Sequence, residues 1–275
     1  VPILHAIVLG ITQGLSEFLP ISSSGHLILV PWLFDWQELT RNPELNKTFD
    51  VALHIGTFVG AVAYFRLDIA RVVGSAVRSV RRRRVETPDE RLAWLLVLSA
   101  IPGALTGALL DSFIEKHLGQ PWLIGLMLIV FGAVLLAADR LVERRDIGEF
   151  GLRDAALMGL AQAAALQPGV SRSGVTISMG RALGYTRDAA ARISFLMSLP
   201  IIGGAGLYKG LKVFGGDGIP AGFGPAFAWG MLASAITGFA AVWLLLRYVR
   251  TRSFTPFVAY RFLAGAAVLV IAALR

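Results

Sequence analysis

Six blocks of the chain are apolar enough to lie in hydrocarbon: residues 49–65, 94–110, 122–138, 193–207, 227–246 and 257–271 carry hardly any charge. At about 1.5 Å per residue in a helix, the seventeen residues of 49–65 reach ~26 Å, just enough to cross a bilayer core. Pro102-Gly103 marks a bend in the second block. Two other apolar regions are interrupted midway by polar turns. Residues 3–11 and 27–33 flank Gln13-Gly-Leu-Ser-Glu17-Phe-Leu-Pro20-Ile-Ser22-Ser23-Ser24-Gly25-His26, and 155–166 and 175–183 flank Gln167-Pro168-Gly169-Val170-Ser171-Arg172-Ser173-Gly174. Pro20 ends the first helix, and the hydroxyl-rich turn caps a new one starting near His26. The pattern predicts helices throughout, two pairs of them broken.

The second interruption lies 149 residues after the first, counting from Gly10 to Gly159. Gln162 matches Gln13, and Ser171, Ser173 and Gly174 match Ser22, Ser24 and Gly25. Arg172 replaces Ser23 and Leu166 replaces Glu17, while Pro20 and Pro168 fall one position out of register. This reads as an internal duplication within a single membrane domain, with halves 1–138 and 139–275 and hairpins near 3–30 and 155–183.

Composition agrees with the membrane reading: 55% of residues are hydrophobic and 16% charged, where a soluble domain averages about 25% charged. The 30 glycines suit close helix packing in lipid, within one chain or between two, so a homodimer is open. The chain has no cysteine, which excludes disulfides and thiolate chemistry. The first apolar run has no basic leader and carries Glu17 and His26 where a processed peptide would end, so it is expected to remain in the protein.

The net charge of +8 does not point to nucleic acid, because eight arginines fall between Arg66 and Arg91, in what reads as a loop beside an anionic leaflet. If each broken hairpin returns to the side it enters from, loops 66–90, 139–153, 181–190 and 247–254 share one face. Loops 31–48, 111–121 and 210–224, with only Arg41, Lys47, Lys116 and Lys212, share the other. The expected fold is an all-α polytopic membrane protein: six transmembrane helices plus two re-entrant helix pairs in an inverted-topology repeat, the basic face cytoplasmic.

If the two turns meet, Glu17, Ser22, Ser23, Ser24 and His26 face Ser171, Arg172, Ser173 and Thr176. A guanidinium fork among hydroxyls and helix N-termini binds phosphate or carboxylate. A carboxylate and an imidazole add acid–base or nucleophilic chemistry, so the set points to phosphoryl transfer from a lipid phosphate. Each residue also has a plainer reading. Glu17 can simply pair with Arg172 to hold the hairpins together. His26 can donate to a backbone carbonyl, the serines can be caps, and Thr176 can bond back to its own helix. Arg172 is hardest to dismiss, since an arginine at membrane depth needs an anion. Asp50 and His54 lie four apart and either frame the pocket mouth or pair with each other.

These residues resemble the bacterial undecaprenyl-diphosphate phosphatase family, the one associated with bacitracin resistance. The resemblance rests on the Gln13–His26 stretch, on Phe49-Asp50-Val-Ala-Leu-His54-Ile-Gly-Thr57 and on Pro168-Gly-Val-Ser171-Arg172-Ser173-Gly174-Val-Thr176, and covers essentially the whole chain. It implies hydrolysis of undecaprenyl diphosphate to undecaprenyl phosphate and inorganic phosphate. That reaction recycles the lipid carrier for peptidoglycan in the cytoplasmic membrane, at a site open to the side opposite the cytoplasm. It also implies that Glu17, Ser23, His26, Ser171, Arg172 and Thr176 are functional, and that Mg²⁺ or Ca²⁺ takes part. Many members carry Glu where this chain has Gln13, so a cation here is expected to be held mainly by the diphosphate, with Glu17 nearby and Gln13 a weak contributor.

The expected mechanism is in-line displacement. Arg172, Ser171, Ser173, Ser22, Ser24 and Thr176 hold the diphosphate, and His26 attacks, or Ser23 does with His26 or Glu17 as base. Two rival classes are a transporter or flippase of polyprenyl phosphate, suggested by the inverted halves, and a noncatalytic lipid-binding scaffold.

Overall fold

The computed structural model describes residues 1–36, 38, 42–214 and 222–275, with only the backbone for 43, 44, 111, 112, 115, 116, 209 and 212–214. Among the described residues the chain is helical with no strand, and six helices are long and apolar enough to cross a membrane. In order they are α1 (Ile3–Phe18), α2 (Ser23–Leu33), α3 (Pro43–Arg82), α4 (Pro88–His117), α5 (Pro121–Asp139), a 3₁₀ turn (Ile147–Glu149), α6 (Leu152–Ala164), α7 (Arg172–Ala182), α8 (Arg187–Phe214), α9 (Gly224–Tyr248) and α10 (Thr255–Leu274).

Several helices outrun the hydropathy blocks, and caps explain where they stop. The Asn42 side chain accepts from the Leu45 amide and Pro43 follows at the first helical position, so α3 starts inside the expected loop 31–48. It continues through the arginine-rich stretch to Arg82 and ends on Arg83 at φ 54°. The expected basic loop 66–90 is therefore mostly helix. Thr87 and Glu90 form a reciprocal capping box that starts α4 at Pro88; α4 runs on through Pro102 and through the expected polar turn to His117. Of the expected loops 31–48 and 210–224, residues 37, 39–41 and 215–221 lie outside the described residues, as does Arg41.

The helix α10 measures the body from end to end. At its start the Phe254 amide donates to Asp139 (3.0 Å); at its finish Arg275 donates to the carbonyls of Trp32 (2.7 Å) and Leu33 (3.2 Å). Twenty residues at about 1.5 Å each separate these points by ~30 Å. The α6–α7 hairpin has both outer ends at the Asp139 end: the amides of Arg144 and Arg145 donate to the Gly184 carbonyl, and Thr186 donates to that of Arg145. The α1–α2 hairpin has both outer ends at the Arg275 end, where His5 stacks on Trp36 and bonds Glu38 (2.7 Å). The two hairpins enter the body from opposite ends, and their tips meet inside it.

Glycine permits the close packing that holds the first hairpin. The helix α9 lies between α1 and α3; a Cβ on Gly14 would collide with Thr237 and the Ser234 carbonyl, and one on Gly60 with the Ala235 carbonyl.

At the Asp139 end a polar knot fixes the second hairpin. Arg145 grips Asp154 with both terminal nitrogens (3.2 and 2.7 Å), and Tyr185 Oη donates to the same carboxylate (2.6 Å). Burial pushes the Asp154 carboxyl up, but the Arg145 and Tyr185 bonds and the Gly151 amide outweigh it and hold the group below its ordinary value. A carboxyl depressed on folding stabilises above its unfolded pKa of about 3.9 and loses that stabilisation as pH falls through the lower folded value. Asp154→Asn is expected to lower the unfolding midpoint at pH 7 by the equivalent of about 2 kcal/mol, with the gap to wild type closing below about pH 4. Thermal melts across pH in detergent measure it.

Candidate active site

The two turns share an uncommon backbone. Ser22 has φ 80°, ψ 99° and Ser171 has φ 73°, ψ 114°, and each side chain caps its helix by accepting from Gly25 or Gly174. Non-glycine residues in such regions persist where neighbours over-determine them. Here Ser22 Oγ also accepts from the Gly169 amide across the interface (3.0 Å). Gly169 itself sits at φ 95°, and a Cβ on it would strike the Ile124 carbonyl. Ser173 Oγ donates back to the Leu19 carbonyl (3.0 Å), so the tips are stitched in both directions.

Glu17, buried at the last turn of α1, is the hub. Its Oε1 accepts from Arg172 Nη2 (2.8 Å), and its Oε2 accepts from Ser23 Oγ (2.5 Å) and Gln13 Nε2 (3.0 Å). The i,i+4 spacing on α1 brings Gln13 beneath Glu17. Arg172 Nη1 and Gln13 Oε1 are buried and have no partner among the described residues. A buried donor of that kind is costly unless something accepts it, and a phosphate oxygen is a matching acceptor.

The hub opens into a cavity of about 670 Å³. Glu17, Ser22, Ser23, Ser24, Ser171 and Arg172 contribute the turn side of the lining; Asn46, Lys47, Asp50 and His54 of α3 form a second polar wall. The rest of the lining is mostly apolar and includes Ile28, Val51, Ile114, Leu166, Ile201 and Ile202. The cavity is bordered by the start of α3, the end of α4 and the second half of α8, away from the arginine clusters at 81–84 and 140–145.

The structure does not bring every expected site residue here. His26 is turned behind the first turn, with Nδ1 on the Ser22 carbonyl (2.6 Å) and Nε2 on Tyr260 Oη (2.6 Å). A carbonyl requires Nδ1–H, so Nε2 accepts from the tyrosine and neither nitrogen is free to attack. Two causes combine: with Ser22 as cap, α2 starts at Ser23 rather than near His26, and Tyr260 of α10 holds the far side of the ring. Thr176 donates to the Arg172 carbonyl (2.7 Å) and bonds Ser194 (2.6 Å) in the core, its plainer reading. Ser22 and Ser171 do line the cavity, but they, like Ser173, spend their hydroxyls within the turns. Gln162, the counterpart of Gln13, bonds the Ser99 carbonyl instead (3.3 Å).

The imidazole at the cavity is His54. Its Nδ1 donates to the Asp50 carbonyl (2.8 Å), which directs Nε2 at Glu17 Oε2, 3.8 Å away. Asn46, Lys47, Asp50 and His54 fall on one face at helical spacing, a signal obscured by the assignment of residues up to 48 to a loop. Arg261 was also missed, although an arginine inside an apolar span is itself a flag.

Over residues 6–267 the chain matches the family described as "Bacitracin resistance protein BacA". The chain belongs to this family. Similar relatives include a protein of Pelobacter propionicus, 50% identical over 97% of this chain and 96% of its own, and one of Pelotomaculum thermopropionicum, 49% identical over 99% and 98%. A Nocardioides relative is 45% identical over 99% and 97%. All three are named undecaprenyl-diphosphatase. The family match covers both hairpins and the α3 wall, so the whole cavity lies within it.

Proposed function

We infer that this chain hydrolyses undecaprenyl diphosphate to undecaprenyl phosphate and inorganic phosphate, returning the lipid carrier to cell-envelope synthesis. The observation that carries the reading is Glu17 held between the Ser23 hydroxyl and the Arg172 guanidinium in one cavity, in a chain about half identical to proteins bearing that name. Those names favour an enzyme over a transporter or flippase.

In the proposed mechanism Arg172, whose Nη1 has no partner among the described residues, and the N-terminal amides of α2 and α7 bind the terminal phosphate and offset its charge in the transition state. Ser23 Oγ attacks the terminal phosphorus and gives its proton to Glu17 Oε2, at 2.5 Å. The bond from that phosphorus to the bridging oxygen breaks and undecaprenyl phosphate leaves. Water then attacks the phosphoserine; Glu17 returns a proton to Ser23 Oγ, and inorganic phosphate departs. His54 faces the carboxylate on the side away from Arg172. Ser23 takes the role that the sequence divided between it and His26, because only Ser23 borders the cavity with its nucleophilic atom on a base.

A Mg²⁺ or Ca²⁺ ion fits as a companion of the substrate. Among the described residues no group of three His, Asp or Glu side chains is arranged to hold a metal, while buried Gln13 Oε1 lacks a partner beside Glu17. Such an ion would be held mainly by diphosphate oxygens, with Glu17 and Gln13 as protein donors, and would supply charge neutralisation. We further propose that both hairpins are re-entrant in the cytoplasmic membrane and that the cavity opens away from the cytoplasm; the support is the arginine clusters at the opposite end of the body.

Phosphate release by purified protein, with and without chelator, tests this. Lipid diphosphate is expected to turn over at least 100-fold faster than a short water-soluble diphosphate, because the apolar wall of the cavity gives the chain its own binding energy. Chelator is expected to suppress the reaction. Equal turnover of the soluble compound, or no release from either, contradicts the reading.

A further inference from the structure

The function just argued uses the front of the two turns; the back of both is held by one side chain. Arg261, on α10, is fully buried. Its Nη1 donates to the Pro20 carbonyl in the first turn (3.0 Å), and its Nη2 to those of Gly169 (2.9 Å) and Val170 (3.1 Å) in the second. Nε and Nη2 also reach the Leu128 (3.0 Å) and Met127 (3.3 Å) carbonyls of α5. Every acceptor is a backbone carbonyl, and none of these bonds goes to a carboxylate. The neighbouring residue does the same for an imidazole: Tyr260 Oη donates to His26 Nε2, whose ring also holds the Ser22 carbonyl. Thus Tyr260 and Arg261 of α10 reach the first turn at Ser22 and Pro20 and the second at Gly169 and Val170.

We propose that Arg261 is a positioning residue for the phosphatase reaction: its guanidinium fixes the distance between the two turns, and hence between Ser23 and Arg172, with Tyr260 and His26 extending that control to the cap of α2. The carbonyls of Pro20, Gly169 and Val170 point into the interior, where water does not satisfy them. A planar fork with several fixed donors can hold carbonyls from separate segments at one spacing, which an ammonium on a flexible stem does not. Close approach makes this reach available, since Gly265, one turn beyond Arg261, abuts the Gly125 carbonyl of α5 and a Cβ there would clash. Ser23 and Arg172 do not bond each other; besides Glu17, their spacing depends on the two bonds between the tips and on the Arg261 fork behind them. A shift of the second turn by an ångström would carry Arg172 with it, and misplacement of that size costs about 100-fold in rate.

The proposal rests on the phosphatase reading, and the test has one arm that does not. In the full-length protein in lipid nanodiscs, Arg261→Lys is expected to lower kcat about 100-fold per folded molecule with KM within about threefold. Tyr260→Phe is expected to lower kcat about 10-fold in the same pattern. Arg261→Met, which leaves the carbonyls unpaired, should lose more or fail to fold. In the arm independent of activity, hydrogen exchange is followed in peptides covering 19–26 and 168–175. Arg261→Lys is expected to raise exchange about tenfold or more in both together, although 149 residues separate their matching positions. A kcat within twofold of wild type in Arg261→Lys, losses confined to KM, or exchange unchanged in either turn overturns the proposal. Wild-type protein inactive on lipid diphosphate but showing the paired exchange response would instead overturn the phosphatase reading alone.

Discussion

Arg172→Ala is expected to reduce phosphate release from the lipid diphosphate about 10⁴-fold, the range seen when a guanidinium that meets transition-state charge is removed. The geometry gives two reasons for so large a loss. In the proposed mechanism Arg172 is the cation that meets the phosphate from the second turn, and its Nη1 has no partner among the described residues. Its Nη2 is the partner of Glu17 Oε1, so deletion also leaves a buried carboxylate uncompensated, costing about 3–5 kcal/mol of stability. Arg172→Lys is expected to recover less than a tenth of the activity, because one ammonium cannot serve Glu17 and a phosphate in the fixed directions of the fork. The stability and the chemistry separate in the double variant Glu17→Gln/Arg172→Met, which removes both charges: its unfolding midpoint should return towards wild type while phosphate release stays at background. If the pair served only to pin the hairpins together, that double variant would regain activity with its fold, and a kinetic assay beside a thermal melt tells the two apart.

What could be read from the sequence, and what could not, divides along a physical line. Contacts dictated by local spacing or by the cost of a charge in hydrocarbon were legible. Gln13 sits four residues before Glu17 and bonds it, and Arg172 needed an anion and found the same carboxylate. Features set by distant partners were not. The direction of the His26 ring depends on Tyr260, 234 residues away, and on a helix start three residues earlier than the pattern suggested. Asp50 and His54 do line the cavity, as their spacing on the block 49–65 allowed; what hydropathy hid is that the same face continues back to Asn46 and Lys47, because the Asn42 cap starts α3 inside the expected loop. The stretch 66–82 misled for the converse reason: its charge marks water, yet its arginines, with Leu67, Ala70 and Ala76, sustain a helix, and no proline interrupts it before Pro88.

Ser23→Ala is expected to abolish the phosphoenzyme and to lower kcat by at least 10⁴-fold, since in the proposed mechanism it removes the atom to which phosphorus is transferred. Ser23 Oγ lies 2.5 Å from Glu17 Oε2 and borders the cavity, whereas both nitrogens of His26 are occupied by Ser22 and Tyr260. His26→Gln should therefore cost only about 10-fold, as loss of a support for the turn, and should still form the intermediate. The two assignments leave different chemical traces when wild-type enzyme is quenched during turnover: a serine phosphoester survives acid and is cleaved by base, and a phosphohistidine does the reverse. An acid-labile, base-stable adduct that persists in Ser23→Ala and vanishes in His26→Gln would return the nucleophile to the imidazole, and would require the ring to leave Tyr260 and swing through the first turn before each attack. The short Ser23–Glu17 bond, already aligned for proton transfer with Arg172 on the other carboxylate oxygen, needs no such motion.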